Sequence, residues 1–145
     1  GKKHTLADYA GRPVIVIFYL GKGCAHCIEQ LGTFAPETDR FRQAGIDLVA
    51  ISTDDVNGLR ETVQQNKTGS PFPFPLVSDA SLNVFKQYRA YDDFEQQPLH
   101  GTFLIDRQGL VRWQDISYEP FTQADFLLRE SKRLLAQDPP QVTQR

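Results

Sequence analysis

Val14-Ile-Val-Ile-Phe-Tyr-Leu-Gly-Lys-Gly-Cys-Ala-His-Cys27 joins an unbroken β-branched and aromatic run to a glycine-flanked turn and a cysteine pair. A run such as Val14 to Tyr19, with no polar alternation, suits a strand covered on both faces, so it reads as a central strand. Gly21-Lys22-Gly23 ends it. From Cys24 onward the apolar residues Cys27, Ile28, Leu31, Ala35 and Phe41 recur at near-helical spacing, stopping near Gly45. Pro36 falls inside that pattern and predicts a kink or a change of helix.

The rest of the chain extends the same alternation. Upstream, Leu6 to Pro13 is a lead-in turn. Downstream, Ile46 to Ser52 is a second buried strand, and Thr53-Asp-Asp-Val opens a helix to about Asn66, with Asp54 and Asp55 read as its cap. The alternate prolines of Pro71-Phe-Pro-Phe-Pro75 remove backbone donors and make a rigid loop into Leu76-Val77. Phe72 and Phe74 are read as packing over the core. Ser78-Asp79 caps a short helix through Tyr88, and Ala90 to Leu99 is a patternless polar excursion beside the site. Thr102 to Ile105 is a strand, Asp106-Arg-Gln-Gly109 a hairpin turn, and Leu110 to Gln114 the returning strand. Phe121 to Ala136 closes the domain as an amphipathic helix with Phe126, Leu127, Leu134 and Leu135 on its core face. Trp113 and Phe121 are read as core residues. The pattern is α/β: a central mixed β-sheet flanked by helices on both faces. Residues 1–137 form one domain and 138–145 a tail.

With 145 residues and 40% hydrophobic content, one well-buried core is the expectation. A net charge of −2 offers no basic surface for nucleic acid or anionic membrane. The longest apolar run, Val14 to Leu20, is far short of the roughly 20 residues that span a bilayer. The chain starts at Gly1 and contains no Met, and is read as an excised or processed piece. Its compartment is left unknown, with a bacterial extracytoplasmic setting preferred to the cytoplasm.

Only two cysteines are present, so no multi-disulfide framework exists and the pair must be explained locally. A thiolate attacks disulfides and peroxides far faster than a thiol, so redox work at neutral pH needs a lowered cysteine pKa. Cys24 begins a helix, where unpaired N–H groups and the helix dipole favour a negative sulfur. Cys27, three residues on, lies on nearly the same face within disulfide reach. Cys24 attacks and Cys27 resolves. His26 and Lys22 are placed to tune the pair by positive potential. Two other readings stay open: a structural disulfide, which closes too short a loop to add much stability, and a metal or metallochaperone site using both sulfurs with His4, His26 or His100. Covalent haem is excluded, because Ile28 follows Cys27 where histidine is required.

Phe18-Tyr-Leu-Gly-Lys-Gly-Cys-Ala-His-Cys27 resembles the active-site segment of peroxiredoxin-like proteins of the alkyl hydroperoxide reductase and thiol-specific antioxidant (AhpC/TSA) family. Gly45-Ile-Asp-Leu-Val-Ala-Ile-Ser-Thr-Asp54, Phe74-Pro-Leu-Val-Ser-Asp79 and Gly101-Thr-Phe-Leu-Ile-Asp-Arg-Gln-Gly109 follow in that family's order and spacing. The resemblance implies a thioredoxin-like fold. It also implies a further N-terminal segment before Lys2-Lys-His-Thr-Leu, so the domain is read as truncated there. In the family a Thr or Ser three positions before the reactive cysteine orients the peroxide, and an arginine on the strand before Phe-Ile-Asp stabilises the thiolate. This sequence has Gly21 and His100 at those places, which weakens the apparatus for peroxide. The pair also resembles that of thioredoxin-type oxidoreductases, where a cis-proline precedes a threonine in the loop facing the disulfide; Gly101-Thr102 stands there. Gly101 is read either as room for a substrate backbone or as a turn residue, and His100 as a proton donor or acceptor beside the sulfurs or as a hydrogen-bonded loop histidine.

The expected function is therefore dithiol/disulfide exchange through Cys24 and Cys27, with Lys22, His26, His100, Gly101 and Thr102 tuning the pair or facing substrate. Hydroperoxide reduction is the first alternative and metal binding the second. The reading takes no cofactor and no resident metal. The partners are a protein disulfide or dithiol, or a hydroperoxide, together with a thiol reductant or oxidant.

Overall fold

Strand β1 (Val14–Tyr19) lies at the centre of the molecule, and none of its side chains is more than 3% exposed. It pairs in parallel with β2 (Asp47–Ser52) from Val14 opposite Asp47 to Tyr19 opposite Ser52, and antiparallel with β6 (His100–Ile105). With β3 (Leu76–Ser78) and β7 (Val111–Ser117) these strands form a mixed five-stranded sheet in the order β3-β2-β1-β6-β7. The computed structural model describes residues 3–66 and 72–137. Pro71 of the proline-rich loop and the tail read from 138 lie outside the described residues.

Helix α1 (Ala25–Phe34) gives way at Ala35-Pro36-Glu37 to a single 3-10 turn and then to α2 (Thr38–Gln43), because proline cannot continue the hydrogen-bond ladder. Gly45, at φ +79°, ends that pair of helices in the left-handed conformation that glycine tolerates. Side chains alternate across β1. Ile15, Ile17 and Tyr19 face a core shared with Cys27, Leu31 and Phe34 of α1, Phe41 of α2, and Leu127 and Leu128 of α5 (Ala124–Ala136). Val14, Val16 and Phe18 face a second core with Phe85 of α4 (Asn83–Gln87), Phe103 and Ile105. The helices thus cover both faces, as the pattern implied.

Several boundaries differ from the sequence reading. Helix α3 is Val56–Gln64, and Asp55 alone caps it, accepting the Gly58 N–H at 2.9 Å. Asp54 is turned elsewhere. Helix α4 has only five residues: the Asp79 carboxylate accepts the N–H groups of Val84 and Phe85 across a turn in which Leu82 has φ +65°. The segment read as patternless folds as a small hairpin of β4 (Tyr91–Asp92) and β5 (Gln97–Pro98). A two-residue strand is too short to show alternation. Strand β6 starts two residues earlier than expected, at His100, and β7 runs on to Ser117. Helix α5 starts at Ala124 and buries Ala124, Leu127, Leu128 and Ser131, the i, i+3, i+4, i+7 stripe. Phe126 lies off that stripe and is 40% exposed, its ring 6.5 Å from that of Phe121. Phe74 is buried, and Phe72 and Trp113 pack at the edge of the same core, as read. Among the described residues no helix is long and apolar enough to cross a membrane.

Candidate functional site

The turn that leaves β1 sets the site. Gly21 and Gly23 have φ of +118° and +80°, and the turn closes where the Cys24 N–H donates to the Gly21 carbonyl at 3.3 Å. Cys24 then becomes the N-cap of α1, in extended backbone, and its carbonyl accepts from the N–H groups of Cys27 and Ile28. The first N–H groups of the helix have no acceptor within it, and they and the helix dipole favour negative charge at this sulfur. Cys24 is partly exposed and Cys27 fully buried. The two are joined by a disulfide with the α-carbons 5.3 Å apart, and α1 stays helical around it.

His100 opens β6 beneath the pair. It is 4% exposed, and its Nδ1 and Nε2 stand 3.9 and 4.0 Å from Cys27 Sγ. Burial, and then the nearby His26, lower its pKa below the ordinary histidine value of 6.5, so it is a neutral imidazole at pH 7. A neutral imidazole can accept or donate a proton, which suits a group in contact with a thiol.

The other residues singled out from sequence are placed less close to the chemistry. The His26 side chain is 81% exposed and lies 3.8 Å from Glu29. Lys22 Nζ forms an ion pair with Glu61 at 3.2 Å, so its charge is answered from α3. Gly101 and Thr102 are both buried inside β6. A Cβ on Gly101 would meet the Phe103 ring at 2.9 Å and Ala90 Cβ at 3.2 Å, on the aromatic face away from the sulfurs. Gly101 lies within a strand and not in a turn, and its lack of a side chain leaves room for the Phe103 ring and Ala90. Thr102 pairs with Ile17 on the cysteine face but is 1% exposed. The chain has no cis peptide among its described residues, so the analogy with a cis-proline loop stops at position.

Among the described residues, Cys24, Cys27 and His100 are the group whose donor atoms, within 4.8 Å of one another, could hold a metal ion, and only once the disulfide is reduced to thiolates. That set is one ligand short of tetrahedral zinc. His4 does not join it and pairs instead with Asp8 at 4.0 Å.

Sequence reasoning missed the segment beneath the turn. Asp54 Oδ2 accepts the Lys22 N–H at 2.9 Å and the Ser52 hydroxyl at 3.2 Å. Thr53 Oγ1 donates to the Leu20 carbonyl at 2.6 Å. The Tyr19 hydroxyl is buried near Ser52 and Thr62, close enough for both to ease its ionisation, yet makes no hydrogen bond of good geometry. Burial pushes its pKa up to about 12, so it stays protonated. The one local signal was Ser52-Thr-Asp54 at a strand end, which reads equally as a cap.

The sheet order and the Cys-x-x-Cys pair at a helix N-terminus define a domain of the thioredoxin-like class. The chain belongs to the AhpC/TSA family, whose model matches residues 1–114. It is 32% identical over 113 residues to a chloroplastic peroxiredoxin Q of Suaeda salsa, covering 77% of this chain and 51% of that one. A peroxiredoxin of Thermoplasma volcanium is 27% identical, with 75% and 55% covered. The chain thus spans about half the length of the curated relatives it matches. Among solved structures, peroxiredoxin Q of Xanthomonas campestris superposes with a TM-score of 0.77 at 24% identity, covering 92% of this chain and 85% of that one. The reduced 2-Cys peroxiredoxin of Plasmodium vivax gives 0.80 at 19% identity, covering 90% and 82%. The thioredoxin-like fold expected from sequence is therefore the fold of this chain.

Proposed function

We propose that this chain is a two-cysteine thiol oxidoreductase that reduces hydroperoxides. The observation that carries the proposal is the pairing of a partly exposed Cys24 at the N-terminus of α1 with a buried Cys27 already within disulfide reach. The Cys24 thiolate attacks the outer peroxide oxygen, the O–O bond breaks, and the alkoxide leaves as an alcohol after taking a proton. Cys24 is now a sulfenic acid. Cys27 attacks its sulfur, the S–O bond breaks, and water leaves with the proton that Cys27 gives up. His100, against Cys27 Sγ, is placed to accept that proton and pass it on. A dithiol partner then reduces the disulfide by exchange at Cys24, the exposed sulfur. The name peroxiredoxin carried by the relatives supports a hydroperoxide as oxidant.

A second reading is exchange with protein disulfides and no peroxide step. It is favoured by Gly21 and His100, which stand where the family's peroxide-orienting Thr and thiolate-stabilising Arg are expected. Both readings share the step at the Cys24–Cys27 disulfide. Stopped-flow oxidation of the reduced protein by hydrogen peroxide and by tert-butyl hydroperoxide separates them: peroxide reduction requires Cys24 to react faster than free cysteine at the same pH. A rate no faster than free cysteine overturns the first reading. The second then predicts that Cys27→Ser traps a mixed disulfide on Cys24.

A further inference from the structure

We propose that Asp54 is a positioning residue that holds the turn of Gly21 to Gly23, and with it Cys24, at the mouth of α1. The activity readout rests on the redox reading above; the positioning itself does not. Two hydrogen bonds tie the turn to the end of β2, from the Lys22 N–H to Asp54 Oδ2 and from Thr53 Oγ1 to the Leu20 carbonyl. The carboxylate is itself held by Ser52, whose hydroxyl donates to it while accepting the Asp54 N–H at 3.1 Å. The Ser52 carbonyl in turn accepts the Asp79 N–H at 2.8 Å, which anchors this segment to the end of β3.

Two glycines make the slot that Asp54 fills. A Cβ on Gly21 would lie 2.7 Å from Asp54 Oδ1, and one on Gly58, in the first turn of α3, would lie 2.6 Å from Asp54 Cβ. Approaches under 3 Å are not sustained by real side chains, so a side chain at either position would displace Asp54; Gly21, at φ +118°, is also in backbone that favours glycine whatever its neighbours. The turn then closes through the Cys24 N–H on the Gly21 carbonyl, so a shift of Gly21 and Lys22 moves the attacking sulfur. A carboxylate on this side of the turn opposes an anionic sulfur instead of favouring it. Its value must then lie in geometry, and the two accounts predict opposite signs.

The test uses the whole reduced chain, with Asp54→Ala, Asp54→Asn and Gly58→Ala. The rate of oxidation by hydrogen peroxide is followed together with the apparent pKa of Cys24, read from its alkylation by iodoacetamide against pH and localised by mass spectrometry. Positioning predicts that Asp54→Ala slows oxidation about tenfold or more and raises the Cys24 pKa, as the sulfur drifts from the helix N-terminus. Asp54→Asn, which keeps an oxygen for the Lys22 N–H, recovers most of both. Gly58→Ala, a change that otherwise favours a helix, slows the reaction by displacing Asp54, and adds little when Asp54 is already alanine. A faster reaction or a lower Cys24 pKa in Asp54→Ala overturns the proposal, as does an unchanged pair of values. Failure of Asp54→Asn to recover means that an acceptor oxygen at this position is not what holds the turn, and also overturns the proposal. If the wild-type chain does not react with peroxide, the peroxidase reading falls, while the alkylation pKa still decides the role of Asp54.

Discussion

The two faces of the sheet are built from alternate residues of the same strands and do different work. Behind Val14, Val16 and Phe18 lies an apolar box in which Phe18 meets Phe85 at 4.9 Å and Phe103 at 5.5 Å, both nearly edge to face, with Tyr88 alongside. Edge-to-face rings add to burial by matching the positive edge of one ring to the negative face of the next. Behind Ile15, Ile17 and Tyr19 the core is interrupted by buried polar groups: Gln30, Ser52, Thr62, His100 and Thr102. Several of these surround the cysteines or the turn that precedes them. Both faces supply stability, and the cysteine face, which carries the larger apolar core, also holds buried polar groups beside the disulfide.

The sharpest way to break that comparison is to change one residue on each face. Cys24→Ser should abolish turnover with any oxidant while leaving stability within about 0.5 kcal/mol of the reduced wild type, because a partly exposed sulfur packs little. Phe103→Ala should do the reverse, costing about 3–5 kcal/mol in urea unfolding with the rate per folded molecule unchanged. A Cys24 reaction that slows in folded Phe103→Ala would show the faces to be coupled. Gly101→Ala comes next. Its new methyl group must push the Phe103 ring or Ala90, an overpacking cost of about 1–3 kcal/mol by the same measurement. Lost turnover at undiminished stability would instead return Gly101 to a substrate-facing role.

How much of this was legible in the sequence follows the same division. Local patterns carried the fold: the unbroken run of β1, Pro36 between two helices, and Asp106 with Gly109 in the hairpin turn, where Asp106 Oδ1 accepts the Gln108 and Leu110 N–H groups. Cys24 and Cys27 were visible because their spacing is itself the signal. His100 could be put near the sulfurs only through family resemblance, since 73 residues separate it from Cys27. The packing around Gly101 and the contacts of Asp54 were not readable at all. Each depends on what lies across the fold, a Phe103 ring edge in one case and two glycine α-carbons in the other, and pairings of that kind leave no local pattern. Phe126 was misplaced for a simpler reason, since a core stripe ending in Ser131 does not announce its phase through hydrophobicity.

The smallest expected effect sharpens the comparison on the polar face. His100 is held below the ordinary histidine pKa of 6.5, first by burial and then by His26, whereas in the unfolded chain it titrates near that value. As pH falls through 6.5 the unfolded chain takes up the proton first, so stability should decline from there down to the folded pKa, and show no contribution from this group above 6.5. Urea midpoints from pH 7.5 to 5 would reveal the decline, and His100→Asn should remove it even if it lowers stability uniformly. His26→Gln should raise only the lower edge of the window, making the decline slightly smaller, by relieving the weaker of the two causes. A decline that persists in His100→Asn would mean that the buried imidazole is not its source, and that the polar groups behind Ile15, Ile17 and Tyr19 are as indifferent to pH as the aromatic box behind Phe18.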